Sequence, residues 1–161
     1  MEKDKLMELI NTIVDERKSI ENEIKKQTEN KVLRGLTLMK QCLEYANEMK
    51  PYFDKINCNP KGVYICGGGC ISRPISWIYG KNKKFCFEYE CSISRYFYLD
   101  DFNEEYINNY IKHSEECTIS FMARLLIDYD YTFEKFKTEL NEMLANEIML
   151  YKKKNNEMAN K

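Results

Sequence analysis

Cys66 and Cys70 bracket three consecutive glycines, Gly67-Gly68-Gly69, and this is the most unusual segment of the chain. If the glycines turn a hairpin, the two thiols face each other across its mouth, able to pair as a disulfide or to hold a metal. His113 and Cys117 stand four apart, a spacing used by zinc ligands on one helix. Cys66, Cys70, His113 and Cys117 would then complete a Cys3His set around a structural zinc. Two features weigh against it. Cys-x3-Cys is looser than the usual Cys-x2-Cys knuckle, and Ser114 reads as a helix start that would put His113 and Cys117 on different elements. Cys58, Cys86 and Cys91 are further thiols, so the spacing singles out no unique set. The expectation is no metal and no other cofactor, with this zinc set as the alternative and buried or idle thiols as the plain reading.

The same glycine run lacks the signature of a phosphate cradle. No Gly-Lys-Ser/Thr follows it, no G-x-G-x-x-G opens a helix, and a sharp turn explains the glycines without a ligand. Catalysis has little to build on. The chain has one histidine, His113, so any Cys–His dyad must use it. The adjacent acids Asp100-Asp101 and Glu104-Glu105 diverge by about 100° on a helix and do not form a carboxylate dyad. G-x-S-x-G, H-E-x-x-H and kinase signatures are missing. No catalytic residue is assigned, and the chain reads as a non-enzyme.

Charge is the more informative feature. The net charge is -1, but residues 50–98 carry +5 and residues 99–147 carry -8. The two segments either neutralise each other within one fold or meet charged partners. Asp100, Asp101, Glu104, Glu105, Glu115 and Glu116 form the candidate partner-binding set, directed at another protein with a basic surface. Carboxylates at helix starts also compensate helix dipoles, which is the structural explanation for many of them. The basic segment supports a rival reading. Arg73, Lys81, Lys83, Lys84 and Arg95 lie among Tyr64, Trp77, Tyr79, Phe85, Phe87, Tyr89, Tyr96, Phe97 and Tyr98. A basic sheet with exposed aromatics grips single-stranded nucleic acid by stacking and phosphate neutralisation. Alternation of Phe85, Phe87 and Tyr89 on one face instead suits a sheet buried against helices. RNP and GXXG signatures are missing.

The elements that would position these residues follow from hydrophobic spacing. Leu6, Ile10, Ile13, Ile20 and Ile24 predict a helix over about 3–26. Val32, Leu36, Met39, Leu43 and Ala46 predict a second over about 29–49, ending near Lys50 because Pro51 follows. Together they predict a helical hairpin over 3–49. Both stripes are a/d-like, so a homodimer through a coiled coil competes with burial against the sheet, and burial is the first expectation. Short strands from Val63, from Cys70, from Phe85 and from Arg95 predict a three- to four-stranded antiparallel meander over 63–99. Asp101 with Glu104 resembles a capping box. It opens an acidic helical segment over 102–154, which includes a helix through Cys117, Phe121, Leu125 and Leu126 and a last helix with the stripe Phe133, Phe136, Leu140, Met143, Leu144, Ile148 and Tyr151. The fold class is α+β: helical hairpin, central meander, C-terminal helices, in a single domain over 1–161.

A chain of 161 residues with 43% hydrophobic and 13% aromatic residues has the size of one core. No apolar run follows the charged residues 2–8, and no stretch of 18 apolar residues occurs, so neither a secretory signal nor a membrane span is expected. Seven cysteines, an odd number at irregular spacing, suit reduced thiols in the cytoplasm. The richness in Lys, Asn, Ile and Tyr fits an AT-rich genome. The expected function is a small non-enzymatic binding protein acting through protein–protein contact. More narrowly, it is expected to be an inhibitor of a host-defence system, carried by a phage or mobile element and anti-CRISPR-like. The alternative is the nucleic-acid-binding module on the basic aromatic sheet, with or without zinc.

Overall fold

A computed structural model describes residues 2–60, 62–66, 75–79, 84–89, 95–113 and 133–161. Helix α1 runs unbroken from Lys3–Lys55, 53 residues. The expected hairpin over 3–49 is therefore corrected: both apolar stripes lie on one continuous helix. The physical reason is in the supposed link. Residues 26–30 contain neither Gly nor Pro, so nothing there forces the backbone out of helical φ/ψ. Thr28 instead donates its hydroxyl to the Ile24 carbonyl at 3.0 Å, a bond that keeps the side chain within the helix.

The predicted stop near Lys50 is corrected as well, since the helix carries Pro51 in its interior. An interior proline costs roughly 3 kcal/mol. Phe53 is fully buried two residues later, and burying a side chain of that size returns about 1.5–3 kcal/mol. Lys50 also reaches Asp54 across the proline at 3.0 Å. The true terminator is Asn57, in the left-handed region at φ 53. The Cys58 N–H donates to the Phe53 carbonyl at 3.0 Å and the Asn57 N–H to the Asp54 carbonyl at 3.1 Å. These two bonds make a Schellman motif with Asn in place of the commoner Gly.

Strands β1 (Val63–Cys66), β2 (Ile75–Tyr79), β3 (Phe85–Tyr89) and β4 (Arg95–Tyr98) pair antiparallel in chain order. They have four or five residues each, against helices of 53, 10 and 27 residues. The α+β expectation, with a meander at the centre of the fold, is thus overturned in its proportions. The chain is mainly helical, and the part of the sheet that enters the described core is the antiparallel pair β3–β4. There Phe87 stands opposite Phe97, and both are buried with Phe85.

A 3-10 turn, Leu99–Asp101, leads into helix α2, Glu104–His113. The capping prediction shifts by two residues. Asn103, not Asp101, caps α2, its Oδ1 accepting the Tyr106 N–H at 2.8 Å. Asp101 instead accepts the Tyr98 N–H at 3.3 Å and fixes the exit of β4. Helix α3, Phe133–Ala159, closes the core with Phe136 and Leu140. Tyr45 on α1 meets the start of α3, edge-on to Phe133 and donating to Asn141 Oδ1 at 2.6 Å. Cys58, just past the end of α1, lies beside Glu147 further along α3, so the two helices run in the same direction. The core gathers Val32, Leu36, Met39, Leu43, Ala46 and Phe53 from α1 against Phe87, Phe97, Phe102, Phe136 and Leu140. Four of the apolar positions expected inside, Leu36, Leu43, Phe87 and Leu140, are buried. Leu125, with the rest of the expected helix through Cys117, lies outside the described residues.

Candidate protein-binding surfaces

Three surfaces follow from this frame. The first is acidic and sits where β4 turns into α2. The turn orders Asp100 and Asp101, and the Asn103 cap releases Glu104 and Glu105 from capping duty at the first turn of α2. Asp100 is exposed and pairs with Lys84 at 3.3 Å. An exposed pair of this kind contributes about 0–1 kcal/mol. Asp101 is half-buried and spent on the Tyr98 N–H. Glu104 and Glu105 are exposed and, among the described residues, in no ion pair. Of the six candidate partner-binding acids, Glu115 and Glu116 lie outside the described residues. The other four follow one another along the 3-10 turn and the first turn of α2.

The second surface is apolar. Every described residue from Glu2 to Gln27 is exposed. Leu6, Met7, Leu9, Ile10, Ile13, Val14, Ile20 and Ile24 are 43–60% exposed along this half of α1. Burial of α1 begins only at Val32. The expectation that both stripes are buried is thus corrected for the first one. Because α1 continues unbroken through residues 27–31, its first half extends the helix beyond the buried part rather than turning back on it. The third surface is the distal part of α3, where Ile148, Met149, Leu150, Tyr151 and Met158 are exposed beside Lys152, Lys153 and Lys154. The stripe expected on the last helix is thus corrected at its far end, where Ile148 and Tyr151 are open. They share a face with buried Phe136 and Leu140, and α3 outruns the core that covers those.

The nucleic-acid candidates are dispersed. Arg73, Lys81 and Lys83 lie outside the described residues, Arg95 opens β4, and Lys84 is engaged with Asp100. Of the sheet aromatics whose side chains are described, Phe85, Phe87 and Phe97 are buried and Tyr96 is exposed. Lys84 lines a cleft of 280 Å³ with Asn47, Lys50, Tyr98 and Asp100, below the roughly 300–1,000 Å³ of ordinary small-molecule sites. Of the zinc candidates, Cys66 ends β1 and His113 ends α2, while Cys70 and Cys117 lie outside the described residues. Among the described residues no three His, Cys, Asp or Glu side chains are grouped to hold a metal.

The described thiols are Cys42, Cys58 and Cys86, and all are free. Burial pushes Cys42 from 9.0 up to about 12. It pushes Cys86 up to about 11, a Tyr98 hydrogen bond opposing it. Cys58 is raised by burial first and then by the Glu147 carboxylate. Among the described residues no helix is long and apolar enough to cross a membrane. No family model, no curated protein and no solved structure matches the chain.

Proposed function

We propose that this chain is a non-enzymatic binding protein that works through protein–protein contact. The observation that carries the reading is the run of large apolar side chains exposed along the first half of α1 and the distal part of α3. Single exposed leucines are ordinary on a protein surface, whereas long exposed apolar stripes mark contact sites. The acidic surface at Asp100, Glu104 and Glu105 then sets what kind of partner is admitted. Carboxylates free of capping duty steer a basic protein surface and repel an acidic one. Seven cysteines, an odd number at irregular spacing, suit a reducing cytoplasm, which is where this reading puts the protein.

The narrower form of the proposal is an inhibitor, carried by a phage or mobile element, that occupies the basic nucleic-acid channel of a host-defence nuclease. Its support is the -8 charge of residues 99–147. The test uses three baits in host lysate: the natural chain, Glu104→Lys with Glu105→Lys, and Met149→Asp with Leu150→Asp. Proteins held by the first and lost by one of the others are identified by mass spectrometry. A basic nuclease in that set supports the inhibitor, and plaque counts on a host with an active CRISPR nuclease, with and without the chain, then measure it. Tight, salt-sensitive binding of a single-stranded oligonucleotide would replace this reading with the nucleic-acid one.

A further inference from the structure

We infer that the exposed half of α1 pairs with the same segment of a second copy of this chain, as a parallel, in-register two-stranded coiled coil over residues 6–24. The proposal rests on the protein-contact reading above and names the occupant of one of its surfaces. It fails separately: a monomeric chain can still bind a foreign partner through the acidic surface or α3.

The spacing is the first argument. Leu6, Ile10, Ile13, Arg17, Ile20 and Ile24 advance by 4, 3, 4, 3 and 4 residues, an unbroken heptad seam with Leu6, Ile13 and Ile20 at d and Ile10, Arg17 and Ile24 at a. No other described part of the chain covers it, since each apolar member is 46–60% exposed. Such a seam is complementary to itself, because in register a meets a and d meets d. Deeper in α1, the stripe from Val32 to Phe53 repeats the 3- and 4-residue steps in another register: on the heptad frame of the first, Val32, Met39, Ala46 and Phe53 fall at b and Leu36 and Leu43 at f. The two stripes therefore face different directions, and the core that takes the second leaves the first in water.

Area is the second argument. A stable pairing takes about 800 Å² from each partner. Eight large apolar side chains that show about half their surface supply several hundred Å² before any flanking stem is counted.

The flanking positions choose the partner and its direction. In the parallel pair Leu9, at g, lies opposite Val14, at e, of the second copy, and apolar surface extends the seam at its N-terminal end. Arg17 reaches toward Glu16 of the second copy, and offsets the approach of Glu16 and Glu21 across the seam. In an antiparallel pair Leu9 would face Glu23 and Met7 would face Glu21, leaving apolar surface against carboxylates. A membrane surface is a poorer occupant. Residues 3–27 carry six basic and six acidic side chains, whereas a lipid-bound amphipathic helix concentrates basic ones.

Sedimentation equilibrium on the full chain, from low to about 100 μM, tests the pairing, the upper end lying about two orders above a micromolar Kd. A dimer is expected. Ile13→Asp with Ile20→Asp should make it monomeric while the far-UV spectrum of the body and its buried-thiol protection persist. Arg17→Ile should tighten the dimer at least tenfold, because it removes the one charged residue from the seam. Pyrene attached to the N-terminal amine should show excimer emission, as the parallel arrangement brings the two N-termini together. A monomer at all concentrations overturns the proposal. So does a dimer that survives Ile13→Asp with Ile20→Asp, or one lost instead with Met149→Asp and Leu150→Asp. A dimer without excimer emission overturns the parallel arrangement.

Discussion

Two residues, Asn57 and Asn103, set where helices end and begin, and neither announces itself by hydrophobic pattern. Asn57 ends α1 because its short amide tolerates the left-handed backbone that a β-branched residue resists. Asn103→Ala should remove the cap of α2 and cost about 0.5–2 kcal/mol in a denaturant melt, whereas Asp101→Ala should act on the β4 exit instead. The thiols give a second check at this scale. Cys42 and Cys86, with their thiols held well above 9.0 by burial, should resist iodoacetamide at neutral pH in the folded chain and react on unfolding. The sign of the linkage follows. The folded state holds these protons more tightly than the unfolded one, so their contribution is complete below about 9. It is lost as pH rises through the folded values of about 11 and about 12. Denaturant midpoints measured between pH 8 and 11 should therefore fall as the pH rises.

At the scale of elements, the stripes were legible and the breaks were not. The spacing of Val32, Leu36, Met39, Leu43 and Ala46 found the buried face of α1 residue by residue, because a helix period leaves a trace in sequence wherever one side is dry. The gap between the two stripes looked like a loop, yet a shift of register, from a and d to b and f, is also what a single helix shows when its two halves serve different neighbours. Pro51 misled for a related reason: a proline's local cost is readable, but the burial of Phe53 that offsets it is a tertiary fact. The acidic surface was half legible. Asp100, Asp101, Glu104 and Glu105 could be grouped from the chain, but not the division of labour that gives the cap to Asn103 and leaves two glutamates free. Within α1, the two halves should respond differently to truncation of a side chain. Leu36→Ala should cost about 2–5 kcal/mol of folding stability. Ile13→Ala should leave the unfolding of the body within about 0.5 kcal/mol when measured at monomer concentrations.

For the whole molecule, the described residues up to 27 are all exposed and burial in α1 begins at Val32, so the packed body is expected to fold without the segment before residue 28. A chain beginning at Thr28 should keep the melting behaviour of the full chain at high dilution and lose helical signal for the missing turns, as far-UV circular dichroism would show. Charge is also distributed on this scale. Reversing Glu104 and Glu105 to Lys should lower the melting temperature only slightly: among the described residues neither carries an ion pair, and the loss is the dipole compensation at the first turn of α2, about 0.3–1 kcal/mol for each charge. The same change should slow association with a basic partner and weaken its salt dependence.

The passage of α1 through residues 27–31 without a joint has a consequence for how strongly a target is held. A flexible linker would let two tethered bodies wander. Here the unbroken helix joins each body to the paired segment without a swivel, so in a parallel pair the width of the coiled coil, about 8–10 Å between helix axes, fixes how the two bodies sit side by side. Two copies joined along their first halves would carry their bodies at the same end, a set distance apart, with both acidic surfaces on offer. A target with two matching sites at that distance would be gripped twice. The second contact would form at a high local concentration set by geometry, and avidity would exceed the strength of either contact alone. A target with only one site, or with two at the wrong distance, would gain nothing, so a rod with no hinge selects its target by size.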